Sequence, residues 1–144
     1  MAIPDHIDFV EVGPRDGLQN EPVQIATADK LNLIARAIDA GARRIEVASF
    51  VNPAKVPQMA DAEAVCAGLP DRSDVTYIGL VMNARGATRA LATGKIDQLG
   101  AVCVATDSFA MANQGQTSDG SVEAAGEIFA MARAAGRSAQ ATLA

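Results

Sequence analysis

The chain has 144 residues, 49% hydrophobic, 20% charged and only 3% aromatic, a composition that excludes intrinsic disorder and fits one globular domain over 1–144. Twelve Lys and Arg against seventeen Asp and Glu leave a net charge of −5 and no basic cluster, which excludes nucleic acid as a partner. No apolar run approaches the roughly 18 residues of a membrane span.

The opening stretch MAIPDHIDFV lacks the basic and apolar regions of a secretory signal, so a cytoplasmic location is expected. A first strand is predicted at IDFVE (7–11), followed by a Gly/Pro loop. A helix capped by Thr27 then puts Leu31, Ile34, Ala35 and Ile38 on one face and stops at Gly41. RIEVAS (44–49) reads as a second strand, and a loop punctuated by Pro53 and Pro57 leads into a helix at about 60–68.

TYIGLVM (76–82) gives a third strand, Arg85 to Thr93 a short helix ending at Gly94, and LGAVCVA (99–105) a fourth strand. DSFAMANQGQTSDG reads as a long polar loop. A helix at about 122–135 sets Val122, Ala125, Phe129 and Ala132 on one side and ends at Gly136, where SAQATLA starts a fifth strand. Strand starts recur about every 33 residues, the length of a βα unit. Such units build a doubly wound sheet or a (β/α)8 barrel, and no GxGxxG follows the first strand to favour dinucleotide binding. A barrel usually takes about 250 residues, so five strands here amount to a partial barrel with open edges.

In either architecture the functional loops follow the C-terminal ends of the strands. The first delivers EVGPRDGLQNE, in which glycines and Pro14 present Arg15 beside Asp16. A guanidinium fork next to a carboxylate suits an oxyanion stabiliser at Arg15 with a metal ligand or base at Asp16; it also suits a plain surface ion pair. Alternation puts Ile45 and Val47 on one face of the second strand and Glu46 on the other, where a carboxylate needs a partner, Arg15 being in reach. That pair can be structural or part of a site.

Past the third and fourth strands, Asn83, Asn113 and Gln114 can orient a polar ligand and are equally good turn residues. His6, the only histidine, lies away from the strand ends and reads as a surface or packing residue. Cys66 and Cys103 have no CxxC or histidine neighbour and read as packed thiols.

EVGPRDGLQNE, followed by IEVASFVNPAKVPQMAD, resembles the two opening signatures of the 3-hydroxy-3-methylglutaryl-CoA lyases, DRE-TIM metallolyases built on (β/α)8 barrels. The resemblance is strongest in 8–21 and 44–61 and implies the N-terminal portion of a TIM-barrel lyase domain, about strands one to five. It implies retro-Claisen cleavage of a 3-hydroxy-3-methylglutaryl thioester to acetyl-CoA and acetoacetate, a step of leucine degradation, with an acyl-CoA substrate and Mg2+ or Mn2+. Arg15 falls on the enolate-stabilising arginine, Asp16 on a metal ligand and Glu46 on the supporting glutamate. Gln19 and Ser49 match residues of the same loops, and Asn83 and Asn113 match asparagines placed as substrate contacts.

The sequence departs from the family pattern at several points. Ala54-Lys55 stands for Lys-Trp, Val81-Met82-Asn83 for Thr-Pro-Asn, and Gly115 for a second asparagine. The family's His-x-His and asparagine ligands and its reactive cysteine are expected beyond Ala144. Neither Cys66 nor Cys103 matches that cysteine. A related hydroxyacyl-CoA lyase, a Claisen-type acyltransferase, or an inactive fragment associating through its edges are the other readings; open edges favour a homo-oligomer.

Overall fold

A computed structural model describes residues 5–144; the part of the leader reading that falls on residues 1–4 lies outside the described residues. Four parallel strands run in sequence order: β1 (Arg44–Ser49), β2 (Thr76–Leu80), β3 (Gln98–Cys103) and β4 (Ser138–Leu143). Parallel neighbours need crossovers, and these are helical: α1 (Thr27–Asp39) precedes β1, α2 (Ala62–Gly68) links β1 to β2, α3 (Ala84–Ala92) links β2 to β3, and α4 (Asp107–Gln114) with α5 (Ser118–Ala134) links β3 to β4. This is part of a (β/α)8 barrel, as expected. Among the described residues, no helix is long and apolar enough to cross a membrane.

The core lies between the outer face of the sheet and the helices. Ile45, Val47, Tyr77, Leu99 and Ala101 meet Ile34, Ile38, Val65, Cys66, Ile128 and Ala132 there, all but hidden from solvent. The opposite face, the barrel interior, is polar at its lower end. Arg44 donates to Gln98 Oε1 at 2.6 Å, Gln140 Oε1 at 3.0 Å and Asp8 Oδ2 at 3.1 Å, tying β1, β3 and β4 together. Both cysteines are free; burial pushes the Cys66 thiol up to about 11, as an unreactive packed thiol requires.

Several elements differ from the sequence reading. IDFVE is no strand: Glu11 alone joins the sheet, through a parallel bridge to Ile45, while Ile7 and Phe9 are 83% and 72% exposed. With no burial to offset the ordering of the backbone, residues 7–10 lie beside β1 without pairing to it. Ala26 rather than Thr27 occupies the cap of α1, and the Thr27 hydroxyl donates to Asp61 instead. The inner face of α1 is Lys30, Ile34 and Ile38; Ala35 is exposed, and Gly41 closes the helix at φ +107°.

The supposed polar loop after β3 is helical. Asp107–Gln114 forms α4, which Gly115 ends in the left-handed region at φ +71°, a conformation asparagine also tolerates. Thr117 then caps α5 by accepting from the Gly120 amide at 3.1 Å. The buried face of α5 is Ser121, Ala125, Ile128 and Ala132, so Val122, 57% exposed, faces away from the core.

Candidate active site

Glycines and proline at 13–17 shape a five-residue π turn, Gly13–Gly17. Its start is held by Glu11, whose Oε1 accepts from the Gly13 amide at 2.7 Å, and its end by Asn20, whose Nδ2 donates to the Asp16 carbonyl at 3.1 Å. The turn swings the Arg15 side chain inward over β1. There Nε donates to Glu46 Oε1, and Nη1 donates to Asp16 Oδ1 at 2.9 Å. Glu46 is 3% exposed, and Arg15 is its ion-pair partner among the described residues. The three residues form one line from the buried wall to the surface, with Asp16 outermost and more than half exposed.

A β-bulge decides what else faces this line. Glu46 pairs with Ile78 but Ala48 pairs with Gly79, so β1 carries one residue more than β2 at that point. Strict alternation sends positions 46 and 49 to opposite faces; the bulge brings both inside. Ser49, fully buried, donates to Gln19 Oε1 at 3.2 Å and pins the second half of the 13–21 loop to the same wall.

These groups border an open cleft of about 580 Å³ above the C-terminal ends of the strands. Of the residues singled out in the sequence, Arg15, Asp16, Gln19 and Asn113 line it. Asn20, Asn52, Lys55, Gln114, Gln116 and Thr142 line it as well, between apolar walls that include Val51, Val56, Leu80, Met82, Val102 and Phe109. Thr142 was legible as an inward position two residues after Gln140; Gln116 lies in a turn between two helices and carried no signal.

Asn83 does not line this cleft. Its Oδ1 accepts from the Gly86 amide at 3.0 Å and caps α3, and it borders a separate depression of about 390 Å³ with Arg85 and Arg89. His6 is on the surface, 3.0 Å from Asp8.

Whether the residues suit a divalent cation turns on Asp16. Its carboxylate stands at the cleft with Oδ1 on Arg15, and among the described residues no three His, Cys, Asp or Glu gather into a site. The fit is to one ligand position of a hard, oxygen-liganded cation, which takes substrate and water oxygens beside one or two carboxylates.

No protein-family model matches the chain. It is 43% identical over 113 residues, 78% of its length, to the 3-hydroxy-3-isohexenylglutaryl-CoA/hydroxymethylglutaryl-CoA lyase of Pseudomonas aeruginosa. The crystal structure of the Bacillus subtilis HMG-CoA lyase superposes on 99% of the chain with a TM-score of 0.92 and 36% identity. The chain belongs to the HMG-CoA lyase family. An Acinetobacter baumannii HMG-CoA lyase, solved with coenzyme A and 3-methylmalate, matches 93% of the chain with a TM-score of 0.86 and 34% identity. The chain spans less than half the length of these relatives: 37%, 48% and 43% respectively. The family assignment implies a divalent metal.

Proposed function

We propose that the Arg15–Asp16 cleft is the reacting face of a carbon–carbon lyase that cleaves 3-hydroxy-3-methylglutaryl-CoA to acetyl-CoA and acetoacetate, the complete barrel being required for turnover. The observation that carries this reading is the fixed line Glu46–Arg15–Asp16 at the cleft. Two of the three guanidinium nitrogens of Arg15 are held by carboxylates, and Nη2 makes no hydrogen bond among the described residues, which leaves it for a ligand.

In a retro-Claisen step the substrate's tertiary hydroxyl loses its proton and the bond to the thioester methylene breaks. The carbinol carbon becomes the ketone of acetoacetate, and the electron pair passes to the thioester as an enolate, which takes up one proton to give acetyl-CoA. Arg15, oriented by Glu46, offers fixed positive charge where the enolate oxygen develops, with little reorganisation. Asp16 would hold the cation, Mg2+ or Mn2+, which when bound supplies Lewis acidity to the hydroxyl oxygen. Gln19, fixed by Ser49, and Asn113 supply neutral polar contacts to an acyl-CoA.

A second reading, a related hydroxyacyl-CoA with a larger 3-substituent, is favoured by the apolar lining of Val51, Val56, Met82 and Val102. It is consistent with the two acyl groups in the name of the Pseudomonas relative. We also infer that residues 1–144 taken alone associate, because Ile7, Phe9 and Leu143 are exposed beside the two outer edges of the sheet.

Paired assays in a complete barrel test the reaction type. Cleavage of 3-hydroxy-3-methylglutaryl-CoA yielding acetyl-CoA and acetoacetate in equal amounts is expected. Condensation of acetyl-CoA with a 2-oxo acid, without cleavage, would assign the cleft to an acyltransferase instead.

A further inference from the structure

Lys30 is a buried cation that the chemistry above leaves unused. It is 4% exposed on the inner face of α1, where Ile34 and Ile38 occupy the next two turns, and it does not line the cleft. Burying an ammonium is costly unless it is paired and hydrogen-bonded, and an apolar side chain there would pack as its neighbours do. What an apolar residue cannot do is grip a backbone carbonyl.

Lys30 Nζ donates to the Gln58 carbonyl and to Asp61 Oδ1, the latter at 2.6 Å, while Asp61 Oδ2 accepts from Thr27 Oγ1 at 2.7 Å. Gln58 sits in the short 3-10 turn Pro57–Met59, directly after the cleft wall at 52–56. Its own side chain reaches the other way, Nε2 donating to the Glu21 carbonyl at 2.6 Å, just past the lining residues Gln19 and Asn20. Gln58 is thus held at both ends, and through it α1 is joined to both sides of the cleft.

The wall is a single hydrogen-bonded unit on this link. Asn52 Oδ1 accepts from the Ala54 amide at 3.0 Å and the Asn52 carbonyl from the Lys55 and Val56 amides at 2.9 and 3.1 Å, which makes 52–56 a self-bonded turn. One end is pinned at Val51, whose carbonyl accepts from Arg89 at 3.0 Å. The other end is pinned by Lys30. We propose that Lys30 is a positioning residue, setting the gap between the Arg15–Asp16 turn and the 52–56 wall. This rests on the reading of the cleft as an acyl-CoA site.

The test compares the wild type with Lys30→Met, which keeps the stem and loses the donors, and Lys30→Arg, which keeps donors. All are measured well below their unfolding temperatures, by amide resonances and by affinity for coenzyme A. Lys30→Met is expected to shift the resonances of both 18–20 and 52–56 and to weaken coenzyme A binding about tenfold, since small misplacements of contact groups carry costs of that order or more. Lys30→Arg is expected to restore most of both. A Lys30→Met protein that melts earlier yet keeps those resonances and that affinity would make the residue merely structural and overturn the proposal.

If Lys30→Met does not fold, Gln58→Ala cuts the link at its exposed end. It is expected to shift the 18–20 resonances and weaken binding in the same way, and no change there would equally overturn the proposal. A wild type with no affinity for coenzyme A would remove the acyl-CoA reading of the cleft, while the resonance shifts would still decide what Lys30 holds in place.

Discussion

Glu46 is buried beneath Arg15, so the pair answers differently to the loss of each partner. Glu46→Ala leaves a guanidinium that is only 16% exposed without its inner counter-charge. Breaking a buried pair from one side costs about 3 kcal/mol, a loss readable as a lower urea midpoint at unchanged slope; an unchanged midpoint would show that water takes over the role of the carboxylate. The strand pattern of RIEVAS placed Glu46 opposite Ile45 and Val47, and the structure agrees. Ser49 was not legible in that way. Alternation sends it to the opposite face, and only the bulge after Glu46, which has no mark in the sequence, turns it to Gln19. Asn83 shows the reverse difficulty: a position after a strand suited a ligand contact and a helix cap equally, and its oxygen serves the cap. Asn83→Ala should therefore cost about 1 kcal/mol of stability while leaving ligand affinity at the Arg15 cleft unchanged, and a selective loss of affinity would restore it to the site.

At the scale of elements, α3 is seated against the backbone of Phe50, just past β1, by the absence of a side chain. A Cβ on Gly86 would stand 2.8 Å from the Phe50 carbonyl oxygen, a backbone atom that cannot swing aside. Gly86→Ala is expected to destabilise by about 1–3 kcal/mol despite the better helix propensity of alanine, and a neutral effect in thermal unfolding would mean that the helix shifts freely. α4 depends on polar closure rather than on packing, since Ala110 is its one buried residue. That is why its sequence gave no apolar stripe to read. Asp107 accepts from both the amide and the hydroxyl of Ser118, at 2.7 and 2.8 Å, and these bonds hold its carboxyl below the ordinary 3.8. A folded-state pKa below the unfolded value means that the stabilisation is present in full above about 4 and is lost as pH falls through the lowered value. Asp107→Asn should flatten that part of the acid limb of the melting temperature; an acid limb identical to wild type would contradict the assignment.

At the scale of the whole molecule, the regular return of β-branched runs made the parallel sheet legible, because each βα unit buries one face of its strand under its helix. The edge was not legible: IDFVE has the composition of a strand, but Ile7 and Phe9 gain no cover, and only Glu11 pairs. Exposed apolar side chains beside open edges predict concentration-dependent association of residues 1–144 in sedimentation, reduced by Phe9→Lys with Leu143→Lys; a monomer at all concentrations would remove that inference. The cleft centres on one guanidinium, held from below by Glu46 and from the side by Asp16 and open on its third nitrogen. Its most direct test is the rate of acetyl-CoA formation from 3-hydroxy-3-methylglutaryl-CoA, with Mg2+ or Mn2+ present, in a complete barrel carrying Arg15 or Arg15→Lys. A fall of about a hundredfold to a thousandfold in turnover with little change in KM is expected, since a single ammonium nitrogen cannot occupy the separate positions of Nε, Nη1 and Nη2. Equal turnover in the two proteins would contradict the placement of the reaction at this cleft.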